Sequence, residues 1–270
     1  MPARPSPELR RALALASRVA GEAARLLRLK RHGLAAVRRY QEQQGREVKI
    51  GADGRLDRFI ASGLGASSPF PVHSEERWQS GRSMKRGWGW VVDPLDGSLN
   101  FSRGIPLSCI SVALCSGTVP VLGVVHDVNR LEQFQGLVGA GAWLNGRPFR
   151  IGAVRKKARA VLCTGFPVRR DYSAGALQAF VRDVQAYQKV RMFGSAGLSL
   201  AYVACGRADV YQEEGIGLWD VAAGIALVRA AGGVARCVWN GDGRTMSLWA
   251  GNRSLVRNGV PDDGRGEDDE

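Results

Sequence analysis

Trp90-Val91-Val92-Asp93-Pro94-Leu95-Asp96-Gly97-Ser98-Leu99-Asn100-Phe101 is the stretch on which the reading of this chain turns. The apolar run Trp90–Val92 reads as a buried strand that stops at Asp93-Pro94, because proline has no N–H to give to a sheet. Two residues of turn bring a second acid, Asp96. Gly97 and Ser98 then follow at a helix start. The Asp93 and Asp96 carboxylates lie close enough in sequence to share one cation or bridge two. With the Leu95 carbonyl they form the hard oxygen set that suits magnesium. The Gly97 and Ser98 amides would point outward from a helix N-terminus and so receive an anion. Acids for a metal beside amides for a phosphate is the layout of metal-assisted phosphoryl chemistry. The same residues also fit an Asx-turn with a capping Asp and no chemistry at all.

Two further acid segments flank this one. Upstream, His73-Ser74-Glu75-Glu76 follows the apolar Phe70-Pro71-Val72. Downstream, Gly217-Leu218-Trp219-Asp220-Val221-Ala222-Ala223-Gly224 puts an acid where an apolar helix begins. Taken alone, Asp220 reads as an ordinary N-cap. The small residues after it allow that helix to pack very close to a neighbour, which a metal site would need.

Around these segments the chain alternates between helix and strand texture. Apolar residues recur at helical spacing from Ser6 to about Leu29, with Arg10, Arg11, Arg18 and Arg25 on or beside the other face. The polar stretch 40–48 reads as a loop, and Asp53 opens a short amphipathic helix through Leu56, Phe59, Ile60 and Leu64. Strands are expected at Ile110–Leu114, Val119–His126, Leu131–Val138, Val161–Gly165, Val190–Phe193, Ala208–Gln212, Val234–Trp239 and Ser247–Gly251. Helices are expected at Leu177–Tyr187, Leu198–Cys205 and Val221–Ala231, the last ended by Gly232-Gly233. This mixture has no strict βαβ rhythm, which argues for layered α/β or α+β architecture with mixed sheets.

Composition narrows the classes. A chain of 270 residues, 45% of them hydrophobic, is too long for a peptide hormone or a disulfide mini-protein. It suits one large domain or two tightly joined subdomains. The net charge of +13 favours phosphate-bearing partners in general. The excess is nearly all Arg, 32 against 6 Lys, which with the Ala and Gly load fits GC-rich coding and a scattered basic surface. A nucleic-acid footprint is therefore not favoured. Cys109, Cys115, Cys163, Cys205 and Cys237 have neither metal-knuckle nor redox-pair spacing and read as small core residues. Three His at no ligand spacing argue against zinc. No run of about 18 apolar residues is present, and no leader-like apolar core opens the chain. A reduced, soluble, cytoplasmic protein without membrane contact is expected.

The three acid motifs, in this order, resemble the inositol monophosphatase family, part of a superfamily of lithium-sensitive, magnesium-dependent phosphatases. The family's W-x-x-D-P-x-D-G-[ST]-x-N-F is matched from Trp90 to Phe101, and its W-D-x-A-A-G from Trp219 to Gly224. The resemblance runs from about Leu9 to Asn252. It implies the layered α/β/α/β/α sandwich shared with fructose bisphosphatases. An N-terminal part, 1–150, would hold most of the metal-binding acids. A C-terminal part, 151–257, would complete the site, and 258–270 would be an acidic, disordered tail.

Carried over by position, Glu75 and Asp93 resemble ligands of a first Mg²⁺, with the Leu95 carbonyl. Asp93, Asp96 and Asp220 resemble ligands of a second, in a site of two or three ions. The family's upstream acid falls on Asp53, although the preceding Thr is missing and a residue is inserted. Ser98 replaces the commoner Thr and keeps its hydroxyl. The implied reaction is phosphomonoester hydrolysis by an activated water, with Glu75, and Ser98 hydrogen-bonded to Asp53, orienting it. Substrate contacts would come from Asp96, Gly97, Ser98, Ser195, Ala196, Glu213 and Asp220. Glu213, in Tyr211-Gln212-Glu213, resembles the acid that binds inositol hydroxyls; its bland reading is a solvated strand end. The substrate implied is inositol monophosphate or a related sugar or cyclitol phosphate, on a homodimer. A 3′-phosphoadenosine 5′-phosphate or sugar bisphosphate is the alternative, although no aromatic platform for a base is evident near Glu213. A regulatory role on RNA or a polymerase complex, through the basic N-terminal helix, is the alternative from another class.

Overall fold

Alternation along β4 (Trp88–Asp96) sorts the molecule into layers. Trp90 and Val92 belong to one apolar cluster and Val91 to the other, so this strand has a core on each side. A strand covered on both faces needs an unbroken apolar run, which Trp90–Val92 supplies. The structure is a computed structural model that describes residues 6–31, 40–42, 48–50, 53–78, 87–166 and 172–257.

β4 lies in a seven-stranded sheet whose spatial order follows the chain: β3 (Val72–Ser74), β4, β5 (Cys109–Ser116), β6 (Val119–Asp127), β7 (Gln133–Leu137), β8 (Gly141–Leu144) and β9 (Arg147–Phe149). β3 runs parallel to β4 and the remaining neighbours are antiparallel. A second sheet has five strands: β10 (Val161–Cys163), β11 (Lys189–Arg191), β12 (Val210–Gly217), β13 (Val234–Trp239) and β14 (Thr245–Gly251). Its order is β11-β10-β12-β14-β13, with β10 parallel to both its neighbours.

Helices α1 (Pro7–Arg31) and α2 (Asp53–Gly65) cover the outer face of the larger sheet with Ala16, Val19, Ala20, Ala23, Leu56 and Ile60. After β4 comes the short α3 (Ser98–Arg103). The helices α5 (Ala196–Ala204) and α6 (Leu218–Ala230) fill the space between the sheets. α4 (Ala174–Ala186) and α7 (Arg253–Arg257) lie beyond the smaller sheet, where Leu255 and Tyr187 meet Leu162 and Val210. The order is helix, sheet, helix, sheet, helix, as the family resemblance implies.

α6 is apolar all round because it has a sheet on either side. Its small residues bring it to contact distance. A Cβ on Gly123 of β6 would lie 2.3 Å from the Ala223 carbonyl oxygen, and one on Gly224 would lie 2.3 Å from Leu200 Cβ. The helix ends at Gly232, whose φ of 93° is left-handed, while the Gly233 N–H closes back on the Val228 carbonyl at 2.9 Å.

Three local expectations are corrected, and two strands are added. Within the stretch 40–48, β1 (Tyr40–Glu42) pairs antiparallel with β2 (Val48–Ile50) through the main chain, which side-chain polarity does not report. β4 does not stop at Pro94 but runs on to Asp96. Its register against β5 shifts between Asp93 and Asp96, and a bulge tolerates a residue without an N–H. β8 and β9, too short and irregular in pattern to be read beforehand, close the larger sheet. Asp220 is the third residue of α6 and not its cap. The tail 258–270 and the side chain of Asp53 lie outside the described residues. Among the described residues no helix is long and apolar enough to cross a membrane.

Candidate active site

The β4 bulge sets the two central acids side by side on one face. Asp93 is paired across the sheet with Ser111, and Asp96 with Cys109. Asp93 Oδ1 accepts the Leu95 N–H at 2.9 Å, so the Asx-turn reading is locally right and coexists with a site. Asp96 Oδ2 accepts three donors: Ser195 Oγ at 2.6 Å, the Gly197 N–H at 2.7 Å and Cys109 Sγ at 3.4 Å. Ser195 also caps α5 by accepting the Leu198 N–H at 3.3 Å. The start of α5 can press on Asp96 only because residue 197 has no side chain. A Cβ there would lie 2.9 Å from Cys109 Sγ and 3.0 Å from Asp96 Oδ2.

Asp220 arrives from the opposite layer, at the first turn of α6, where its Oδ2 accepts the Gly217 N–H at 3.0 Å. Glu75 stands in the single turn Glu75–Arg77 after β3. Arg77 Nε donates to Asp57 Oδ2 at 2.7 Å, which ties this turn to α2, the helix that Asp53 opens. The Trp78 ring packs on Trp219 with centroids 5.1 Å apart and so joins the Glu75 turn to α6.

These acids repel one another. Burial raises the pKa of Asp93, and the Glu75, Asp96 and Asp220 carboxylates raise it further. Burial raises Asp220 as well, followed by Glu75 and Asp96. Burial also raises Asp96, while its Ser195, Gly197 and Cys109 donors pull it back. The strongest influences on Asp93 and Asp220 include no cationic side chain. Hard carboxylate oxygens gathered in this way fit a divalent cation. Among the described residues no group of three or more His, Cys, Asp or Glu side chains is disposed as a ready ligand set.

A cavity of about 280 Å³ opens beside them, within reach of the size of small-ligand sites. Glu75, Asp96 and Asp220 line it together with Ser195, Ala196 and Glu213. Asp93 is only 2% exposed and is not part of the lining. Leu95, Gly97 and Ser98 are not part of its lining. Ser98 Oγ donates to the Leu95 carbonyl at 2.8 Å, so a link from this hydroxyl to Asp53 would need it to turn away.

Glu213 is not a solvated strand end. It is 7% exposed, its Oε2 accepts the Tyr211 hydroxyl at 2.7 Å, and a Cβ on Gly165 would lie 2.7 Å from that oxygen. Phe166 also lines the cavity, and its ring packs on Phe180 with centroids 4.7 Å apart. Phe166 lies far from Glu213 in the chain. The parallel pairing of Cys163 with Tyr211 brings the segment after β10 alongside β12, a relation no linear motif carries.

Residues 8–259 match the sequence model of the inositol monophosphatase family. The chain belongs to that family. It is 46% identical over 145 residues to Nus factor SuhB of Xylella fastidiosa, covering 53% of each chain. It is 40% identical over 164 residues to the inositol-1-monophosphatase of Synechocystis, covering 60% of this chain and 57% of that one. The matched stretches thus span somewhat over half the length of these curated relatives. Two solved structures share the fold over nearly their whole length, each at 30% identity and a TM-score of 0.79. One is the extragenic suppressor protein SuhB of Bartonella henselae, aligned over 91% of this chain and 95% of that chain. The other is an inositol monophosphatase from Anabaena, aligned over 93% and 94%. In this family member the W-x-x-D-P-x-D-G stretch is the β4 bulge, and W-D-x-A-A-G is the first turn of α6.

Proposed function

We propose that this protein hydrolyses a small phosphomonoester with Mg²⁺, its substrate being inositol monophosphate or a related sugar or cyclitol phosphate. The supporting observation is that Glu75, Asp96 and Asp220, from three separate chain segments, line one cavity together with Glu213, while the buried Asp93 carboxylate feels all three acids. Bound divalent cations supply Lewis-acid charge neutralisation and water activation when present. Glu75, Asp93, Asp96 and Asp220 are the residues that would hold them, with the Leu95 carbonyl. The Glu75 carboxylate receives the proton of the attacking water. Asp96 is kept in one orientation by its Ser195, Gly197 and Cys109 donors, and Asp220 by the Gly217 amide. Cys109 is no nucleophile, because burial and the Asp96 charge hold its thiol well above its usual pKa. Direct attack by water without a covalent intermediate follows.

Glu213 suits a polyol because a carboxylate accepts from adjacent hydroxyls. Phe166 favours a second reading in which the leaving alcohol is a nucleoside stacked on its ring, as 3′-phosphoadenosine 5′-phosphate would offer. Phosphate release from inositol 1-phosphate, fructose 1,6-bisphosphate and 3′-phosphoadenosine 5′-phosphate, with Mg²⁺ and with added lithium, tests both. Highest kcat/KM on inositol 1-phosphate with inhibition by lithium is expected. Release from none of the three sinks the phosphatase reading.

Relatives named Nus factor SuhB favour a further role with RNA or a transcription complex. α1 offers Arg10, Arg11, Arg18, Arg25 and Arg28, all exposed, as its basic face. An RNA mobility shift that weakens steeply with salt would support it, and no shift at physiological ionic strength would refute it.

A further inference from the structure

Asp93 and Asp96 each have a neighbour across the sheet on β5, and the two pairs are not alike. Cys109, opposite Asp96, donates to it. Ser111, opposite Asp93, is 1% exposed, and its hydroxyl has no hydrogen-bond partner among the described residues. Residues paired across a sheet point to the same face. Ser111 therefore shares the face of Asp93, between Cys109 and Ala113, which both pack into the cluster separating the two sheets.

A buried hydroxyl without an acceptor weakens a fold, and native proteins contain few. Packing alone does not call for this one. A Cβ on Gly197 would lie 3.9 Å from Ser111 Cβ, so α5 passes close to this position, and alanine would fit it as well as serine. The Asp93 carboxylate, meanwhile, is tied by Oδ1 into its own turn with the Leu95 N–H.

We propose that Ser111 is a positioning residue for Asp93: its hydroxyl donates to the Asp93 carboxylate when that carboxylate turns to hold a divalent cation. The inference rests on the cation-dependent reading given above. The hydroxyl would then gain its acceptor when the cation binds. Removal of such an outer partner typically weakens metal binding by about 10- to 100-fold.

The test uses Mn²⁺, followed by electron paramagnetic resonance of the free ion, on the full chain and its Ser111→Ala and Ser111→Cys variants. Thermal melts in EDTA accompany it. A thiol is a weaker donor than a hydroxyl and is already accommodated at Cys109. The expected order of affinity is wild type, Ser111→Cys, Ser111→Ala, with the last about tenfold or more weaker. In EDTA, Ser111→Ala should melt at or above the wild-type temperature, because it loses an unpaired polar group. Ser111→Ala affinity within about twofold of wild type overturns the proposal. So does a parallel fall in its EDTA melting temperature, a failure to fold, or Ser111→Cys binding no better than Ser111→Ala. A wild-type protein that binds no Mn²⁺ overturns the cation reading along with this inference. Wild-type binding with an unchanged variant overturns this inference alone.

Discussion

Gly197→Ala asks whether the start of α5 is held against Asp96 as tightly as the geometry says. The added Cβ would lie 2.9 Å from Cys109 Sγ and 3.0 Å from Asp96 Oδ2, both inside ordinary contact. Cys109 is fully buried in β5, with strands on either side, and cannot withdraw. Asp96 Oδ2 is held by its three donors. The helix start must therefore lift, lengthening the 2.7 Å bond from the Gly197 N–H. Overpacking costs about 1–3 kcal/mol, and loss of a hydrogen bond to a charged group about 1.5–3 kcal/mol, together about 2.5–6 kcal/mol. That is a large share of the stability of an ordinary domain. Urea denaturation of the metal-free protein reads it as a lower midpoint at unchanged slope. Cys109→Ala in the same chain removes the closer of the two clashing atoms, so the double variant should be more stable than the two single costs add up to. A cost below about 1 kcal/mol for Gly197→Ala, or strict additivity in the double variant, would refute the close-approach argument.

The remaining predictions concern the acids. Asp93 and Asp220 titrate above the usual carboxylate range in the fold, so the folded metal-free protein keeps protons that the unfolded chain releases. Their contribution to stability is fully present below the unfolded value of about 3.9 and is lost as pH rises through the folded values. The melting temperature in EDTA should therefore fall as pH rises above the usual carboxylate range, and the fall should shrink in Asp93→Asn; equal slopes would refute the mutual repulsion. With Mg²⁺ present, Asp93→Asn should remain folded yet lose about 10³-fold or more in kcat, and near wild-type turnover would end the reading of Asp93 as a ligand. Glu213→Gln should weaken inositol 1-phosphate by about 1–3 kcal/mol in kcat/KM while leaving p-nitrophenyl phosphate, which lacks the hydroxyls, nearly unchanged. If both substrates fall together, Glu213 belongs to the catalytic or structural set.

The motifs were legible in sequence because each is local chemistry. Asp93-Pro94-Leu95-Asp96-Gly97 announces a turn that crowds two carboxylates. The Ala222-Ala223-Gly224 run announces a helix meant to approach closely, and α6 does so at Gly123 and Leu200. Long elements such as α1 and β6 were legible because α1 buries residues at one helical period and β6 carries a nearly unbroken apolar run. The pairing of β1 with β2, the passage of β4 through Pro94 and the short strands β8 and β9 were not, since main-chain pairing leaves little trace over three or four residues.

By itself, then, the sequence determined the acid motifs, the alternation of helix and strand and, through family resemblance, the layered architecture. Only the tertiary structure decided which groups meet. It buried Glu213 beside Gly165 and put Phe166 in the same cavity through the parallel pairing of β10 with β12. It brought the Ser195 hydroxyl and the Gly197 amide onto Asp96, from nearly a hundred residues away. It set Ser111 opposite Asp93 with its hydroxyl unpaired among the described residues. The physical reason is that sheet register and helix docking are fixed by burying apolar faces throughout the molecule, so contacts between distant polar groups are consequences of the whole core and of no single stretch of chain.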